Sequence, residues 1–503
     1  MPFSLNRRSV VLSAAALAAC GRNEIPADTL RVGVTDLPDS LDPARGELSA
    51  AALIYYQVHA GLTDYGPDGE LAPGLAESWS VSPDGLVWTF TLREELAWSD
   101  GRPLTAHDIV WSAQRLVDPA ESFSDLGDFY AVENARAALA GEVTPQALGV
   151  TALNDRMVSF RLTTPLGLFP VLMREFYPVP RHQIERLGDD WIEPEYWVSS
   201  GAYTIASVST SAISLSRNPH YYGRSSVAIP RIDVLSVRDD ATRVRLFRAG
   251  ELDLAQSPPA NQIAFLRGEL GDRLRGFEAP ILRYLKLNHA RSPLDQRANR
   301  IMLSRAVDRD FIAREIYAGA ASPAPGVLKG SPNTPPPAPD SFQFSRPLEI
   351  RTTTGMGERV AVALADDWRR IGVETEILVS YPTDLYQAVD AGNFDIAVAG
   401  FNRGLKSDPF FMLDPFGPSG FAANFNWVDD EFAAIMQAAR AENDPALRAQ
   451  TYFSAEARLL QQAAIVTLAH ERAHWLVEPR VTGTRASVQP MLWRNLGLAD
   501  RRA

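Results

Sequence analysis

Apolar and polar positions alternate over residues 30–34 with the two-residue period of a strand, and Ser40-Leu41-Asp42-Pro43 breaks the pattern. Residues 50–62 switch to helical spacing and close near Gly61. Turn sequences follow at Pro67-Asp68-Gly69 and Pro83-Asp84-Gly85, with short strands before Leu104, of which Val87–Leu92 alternates cleanly. Thr105 suits the N-cap of a helix carrying Asp108 to Leu116. Residues 155–162, 213–215 and 232–235 predict further strands, and 241–249 a helix stopped by Gly250.

Eight of the 36 prolines fall within residues 322–347, so this stretch is predicted to be a surface loop. A βαβ pattern follows. It predicts a strand over 348–351, an amphipathic helix over 358–371 with Val362, Ala365 and Trp368 near one face, and a strand over 373–379. A helix over 383–391 and a nearly all-apolar strand over 394–400 complete it. A continuous apolar run of that kind suits a buried parallel strand. Two more helices are predicted over 429–440 and 445–462.

The chain has 503 residues, 46% hydrophobic and 22% charged, an ordinary globular composition. At roughly 150 residues per domain it is long enough for two to four domains. The formal charge of −12 lacks the basic footprint that holds DNA or RNA, so no nucleic-acid partner is expected. Cys20 is the only cysteine, which leaves no internal disulfide and no thiolate metal site. No apolar run approaches the ~20 residues of a membrane span.

At the N-terminus Arg7-Arg8 precede an apolar run over 10–19 interrupted by Ser13, the size of a signal-peptide core. The run ends Leu17-Ala18-Ala19-Cys20-Gly21, which resembles the lipobox of bacterial lipoproteins. Cleavage would remove residues 1–19 and leave Cys20 as the acylated N-terminus. Asn6-Arg7-Arg8-Ser9 matches a twin-arginine signal in part, with the Sec route expected. Lipid chains, not charge, would hold the protein at a membrane.

The run Leu71-Ala72-Pro73-Gly74-Leu75-Ala76-Glu77-Ser78-Trp79 continues through Trp88-Thr89-Phe90-Thr91-Leu92-Arg93, Trp98-Ser99-Asp100-Gly101 and Thr105-Ala106-His107-Asp108. Later landmarks include Gly201-Ala202-Tyr203, Arg217-Asn218-Pro219, Ala249-Gly250-Glu251-Leu252-Asp253 and Asn393-Phe394-Asp395. Together they resemble the family 5 extracellular solute-binding proteins of bacterial ABC importers, the oligopeptide- and dipeptide-binding group, over about residues 28–499. The resemblance implies an α/β fold of two lobes that close over a ligand on hinge crossovers, with an additional small domain. Lobe I would comprise 28–58, 180–280 and 476–499, the small accessory domain 59–179, and lobe II 281–475. It implies no enzyme and no cofactor. The expected protein is a monomer on the periplasmic side of the cell envelope. It would capture peptides or a peptide-like solute and deliver them to ABC permease subunits with associated ATPases. A transporter-independent peptide sensor is the alternative binding role.

Carried over from the family, ligand-binding positions fall at three places. Glu47 and Ser49 lie in the loop after the first strand, and Tyr381 lies where the family often has a tryptophan. Gly400-Phe401 correspond to the family's Gly-Trp, whose backbone pairs with an extended peptide. A few residues later, peptide binders of the family carry an aspartate for the ligand's α-ammonium. Here the segment from Gly400 to Pro409 keeps the Asp-Pro ending with one extra residue, and Gly404 or Leu405 falls where that aspartate is expected. Arg403 and Lys406 sit nearby. The expected ligand therefore lacks a free α-ammonium or carries an acidic group, unless Asp408 or Glu47 takes the amine.

One motif competes. His470-Glu471-Arg472-Ala473-His474 matches H-E-x-x-H, so a zinc metalloprotease is the enzyme alternative. Residues 464–468 before it read as a strand, so the two histidines need not share a helical face. No P-loop and no G-x-S-x-G nucleophile elbow occurs. The adjacent acids Asp239-Asp240 and Asp366-Asp367 fit helix-dipole or solvated roles.

Overall fold

The structure, a computed structural model, describes residues 26–46, 49–121, 127–332, 336–406, 408–417, 420 and 424–500. Cys20, the expected signal sequence and Glu47 lie outside the described residues.

One eleven-stranded sheet runs through the molecule. Its order is Thr375–Ser380, Leu348–Thr353, Ile396–Asn402, Leu274–Leu287, Ile465–Val477, Leu254–Gln256, Thr29–Val34, Arg231–Ser236, Ala212–Arg217 and Tyr203–Val208. Ala321–Pro323 pairs beside Ile465–Val477. Among the described residues parallel pairing is confined to two groups. Leu348–Thr353 is parallel to both Thr375–Ser380 and Ile396–Asn402, and Thr29–Val34 is parallel to both Arg231–Ser236 and Leu254–Gln256. Each group has its own apolar core, so the sheet belongs to two lobes. In one, Leu30, Val32, Ile232 and Val234 pack with Trp475 and Trp493. In the other, Leu348, Ile350 and Ile396 pack under Leu364 and Trp368 of the helix Met356–Arg369.

That helix buries Val360, Ala361, Leu364, Ala365 and Trp368, whereas Val362 is exposed. Val362 lies about 200° around the helix from Leu364, so it belongs to the solvent face and not to the predicted stripe. The proline-rich stretch also departs from expectation at its start. Ser322 and Pro323 pair with His470 and Ala469, an edge position where a proline without an N–H is tolerated.

The two longest strands join the lobes. In Leu274–Leu287, residues 274–277 pair with 473–476 beside the first parallel group, and 281–287 pair with Ile396–Asn402 in the second. The register breaks between Phe277 and Ile281, where Pro280 cannot donate to a ladder. Ile465–Val477 makes the return crossing.

A separate four-stranded antiparallel sheet runs in the order Ala76–Val81, Val87–Leu92, Met157–Arg161 and Val150–Asn154. Trp88 of this sheet is buried, as is Trp98 just after it in the chain. Beside it the helix Ala106–Leu116 begins where the sequence places it, with the Thr105 N–H donating to the Asp108 carboxylate at 2.8 Å. Among the described residues no helix is long and apolar enough to cross a membrane.

Candidate functional site

A cleft of about 750 Å³ opens where the parallel strands of both lobes end. Gln256 and Ser257 line it from one lobe, and Thr353, Gly400 and Asn402 from the other. The carboxyl ends of parallel strands are where open α/β sheets bind ligands, because the loops there are free to diverge. Ser257 is fixed by its N–H, which donates to the His474 carbonyl at 3.1 Å. Arg283 and Glu471, from the two crossover strands, also line the cleft.

The strand Ile396–Asn402 supplies the cleft's main backbone surface. Its inner edge pairs with residues 281–287 along the whole length. Its outer edge pairs with Leu348–Thr353 only at Ile396 and Ala397. Among the described residues no strand continues that ladder beside residues 398–402. Five residues of free edge span roughly 17 Å, and a row of unpaired N–H and C=O groups is a template for another strand.

Charge in the cleft is arranged around the crossovers. Arg283 donates through Nε and Nη2 to Glu471, the latter bond being 3.3 Å. Burial raises the Tyr317 hydroxyl, and Glu471, to which it is hydrogen-bonded, raises it further. Lys286 lines the cleft near Asp390. Burial pushes its ammonium down and Asp390 opposes that shift. The Asn424 amide donates to Asp390 at 2.8 Å. Arg472 donates to the Gly276 carbonyl at 2.8 Å, and burial lowers His474, so the imidazole favours its neutral form.

Of the sequence-predicted site residues, Gly400 lines the cleft. A Cβ at Gly400 would stand 2.6 Å from Arg283 Nη1, so the absence of a side chain lets the guanidinium lie across the strand. Ser49 opens the helix Ser49–Val58. Tyr381 precedes the cleft-lining Pro382 and is 76% exposed. The Phe401 ring packs away from the cleft, edge-on to Tyr284 at 5.9 Å and under the Arg403 guanidinium at 5.0 Å. Asp408 accepts the Phe410 N–H at 3.0 Å and so caps the helix Pro409–Leu413. Burial pushes its carboxyl above the usual carboxylate range. Arg403 donates to the Phe411 carbonyl at 3.0 Å, and Lys406 pairs with Glu175 at 2.7 Å. Neither cation lines the cleft. Of the charged groups that do, Arg283, Lys286 and Asp390 escaped the sequence reading. Composition held one signal for Lys286, because only three of the 49 basic residues are lysines, at 286, 329 and 406.

The H-E-x-x-H match lies on the strand Ile465–Val477. Four residues of strand separate the histidines by roughly 13 Å, whereas one helical turn would bring them to a common ion. His470 is buried, pushed down to about 4 by desolvation and by Lys329, and Glu471 is held by Arg283. Among the described residues no group of three histidine, cysteine or carboxylate side chains is gathered to hold a metal.

A family model described as bacterial extracellular solute-binding proteins, family 5 Middle, matches residues 70–347. The periplasmic murein peptide-binding protein MppA of Escherichia coli (strain K12) is 27% identical over 511 residues, covering 94% of each chain. The periplasmic oligopeptide-binding protein OppA of the same organism is 29% identical over 475 residues, 88% of this chain and 87% of the relative. Among solved structures, Haemophilus influenzae OppA in complex with RPPGFSPFR superposes with a TM-score of 0.72 at 26% identity. That match covers 94% of this chain and 99% of the other.

Proposed function

Because the chain belongs to the bacterial extracellular solute-binding proteins of family 5, we propose that it captures an extended peptide in the interlobe cleft and delivers it to the permease of an ABC importer. The observation that carries this reading is the free edge at residues 398–402, bordering a cavity of about 750 Å³. A peptide added there as a further strand bonds through its backbone, which recognises length and extension before side-chain identity. The peptide-binding names of its relatives MppA and OppA support the same class of ligand. Gly400 and its neighbours on the edge then meet the ligand's backbone, and Tyr381 stands at the rim. Phe401 and Asp408 act indirectly, by fixing the loop that follows the strand. Glu47 and Ser49 are the remaining ligand contacts that the family resemblance assigns.

The protein acts as a monomer on the periplasmic side of the envelope, anchored through acylated Cys20. Calorimetry against tri- to nonapeptides tests the ligand class: heat of binding saturating at one peptide per chain is expected. Absence of binding to every peptide tried rejects it. Cys20→Ser is expected to move the protein from the membrane to the soluble envelope fraction, because several acyl chains anchor stably. Retention on membranes after a salt wash rejects the anchor.

A further inference from the structure

Resting on that peptide reading, we propose that the cleft holds a subsite for an aromatic side chain near the middle of the bound peptide, and that Tyr386 is the residue that selects it. The helix Pro382–Asp390 turns one whole face to the cleft. Pro382, Leu385, Tyr386, Val389 and Asp390 all line it. Their spacing of i, i+3, i+4, i+7 and i+8 is the stripe that a helix ordinarily packs against a core. Leu385 and Val389 are buried, but Tyr386 is 67% exposed. Among the described residues no aromatic ring packs on Tyr386 and no hydrogen bond holds its hydroxyl. A bare ring in a concave site gains from a ligand that removes its apolar surface from water.

The ring stands where an added strand would run. The strand Ile396–Asn402 divides its side chains between two faces. Ala397 and Ala399 pack in the cluster that holds Leu385 and Val389, whereas Ile396 and Val398 pack with Leu364 and Trp368. A peptide lying beside residues 398–402 therefore sends alternate side chains to those same two faces. On the first it meets the helix Pro382–Asp390. The Tyr386 hydroxyl lies within electrostatic range of Arg283 and Tyr284, which stand opposite Gly400 and Ala399 in the ladder. That sets the ring beside the middle of the free edge. Charge does not discriminate here, because the charged lining is engaged. Glu471 holds Arg283, Glu278 and the Gly276 carbonyl hold Arg472, and Lys286 faces Asp390, which takes the Asn424 amide. A second ring can instead meet Tyr386 by offset stacking or edge-on, a gain beyond burial that an aliphatic side chain does not make. Tyr381, nominated by the resemblance, stands at the rim, whereas Tyr386 lines the cleft itself.

Calorimetry on the purified protein with the pentapeptides Ala-Ala-X-Ala-Ala, X being Phe, Leu or Gln, tests this, since five residues match the free edge. The phenylalanine peptide is expected to bind about tenfold more tightly than the glutamine peptide, about 1.4 kcal/mol, with the leucine peptide between them. Tyr386→Ala should weaken the phenylalanine peptide about tenfold and the glutamine peptide less than about twofold. Tyr386→Phe should keep the preference, and melting temperatures report that each variant folds. A preference that survives Tyr386→Ala overturns the proposal. A leucine peptide as tight as the phenylalanine peptide also overturns it, in favour of a merely apolar subsite. If all three peptides bind alike, the aromatic subsite falls and the peptide reading stands. If none binds, the peptide reading falls with it.

Discussion

Gly400 acts through the side chain it lacks. A Cβ there would lie 2.6 Å from Arg283 Nη1, 2.7 Å from its Cδ and 3.0 Å from the Leu282 carbonyl. The guanidinium can swing aside, but only by giving up its bonds to Glu471. Gly400→Ala is therefore expected to fold with a melting temperature close to the parent while weakening peptide binding about tenfold, since it distorts the free edge and breaks the half-buried Arg283–Glu471 pair. Unchanged affinity by calorimetry would remove Gly400 from the site. At this scale the sequence was partly legible. A glycine ending an apolar strand stands out, and the resemblance pointed to it. Asp408 did not resolve, because an acid before a proline reads the same whether it caps a helix or takes an ammonium. Phe401 was ambiguous for a similar reason: an aromatic at a strand end serves a core or a ligand equally well, and here Tyr284 and Phe416 claim it.

Elements were legible where their period was local and illegible where distant partners decide. The alternation of Thr29–Val34 and the apolar run of Ile396–Asn402 gave strands directly. The crossover Leu274–Leu287 did not, because Pro280 interrupts it and only pairing with segments more than 100 residues away makes it continuous. Asp253 shows the same dependence energetically. Its carboxylate accepts from the Arg31 N–H at 2.9 Å, from Arg31 Nε and Nη2 at 3.1 Å, and from Arg480 Nε and Nη2 at 2.8 Å. It thus ties the first strand to the segment after the return crossover. Burial alone would raise this carboxyl, but the bonds from Arg480 and Arg31 outweigh it and hold the group below the usual range. A lowered folded pKa adds stability above the unfolded value near 3.9, and that stability is lost as pH falls through the folded value. Asp253→Asn is expected to cost about 3 kcal/mol in urea unfolding at neutral pH, because two buried guanidiniums lose their counter-charge. The loss should shrink as the parent is titrated below pH ~4. A variant as stable as the parent at neutral pH would show that the triad contributes nothing net.

At the scale of the whole molecule, the lobe arrangement rests on more than the crossovers. The segment after the small sheet touches the second lobe directly. The Gly167 N–H donates to the Arg440 carbonyl at 2.7 Å, and Arg448 donates to the Gly167 carbonyl at 3.4 Å. Nearby, Glu175 accepts from Tyr65 at 2.8 Å and Tyr56 at 3.1 Å while pairing with Lys406 at 2.7 Å. None of these groups lines the cleft. They set the arrangement in which the cleft is complete, so they act on affinity through the population of that arrangement. A Cβ on Gly167 would fall 1.9 Å from the Glu442 carbonyl oxygen. Backbone cannot swing aside as a side chain can, so Gly167→Ala should wedge the contact open. If the competent arrangement falls to a tenth of its population, apparent affinity falls about tenfold with no ligand contact changed. Small-angle scattering should report a larger radius of gyration for the ligand-free variant, and saturating peptide should restore the parent value. Parent-like affinity together with parent-like scattering would mean that the Gly167 contact is accommodated elsewhere and that the crossovers alone govern closure.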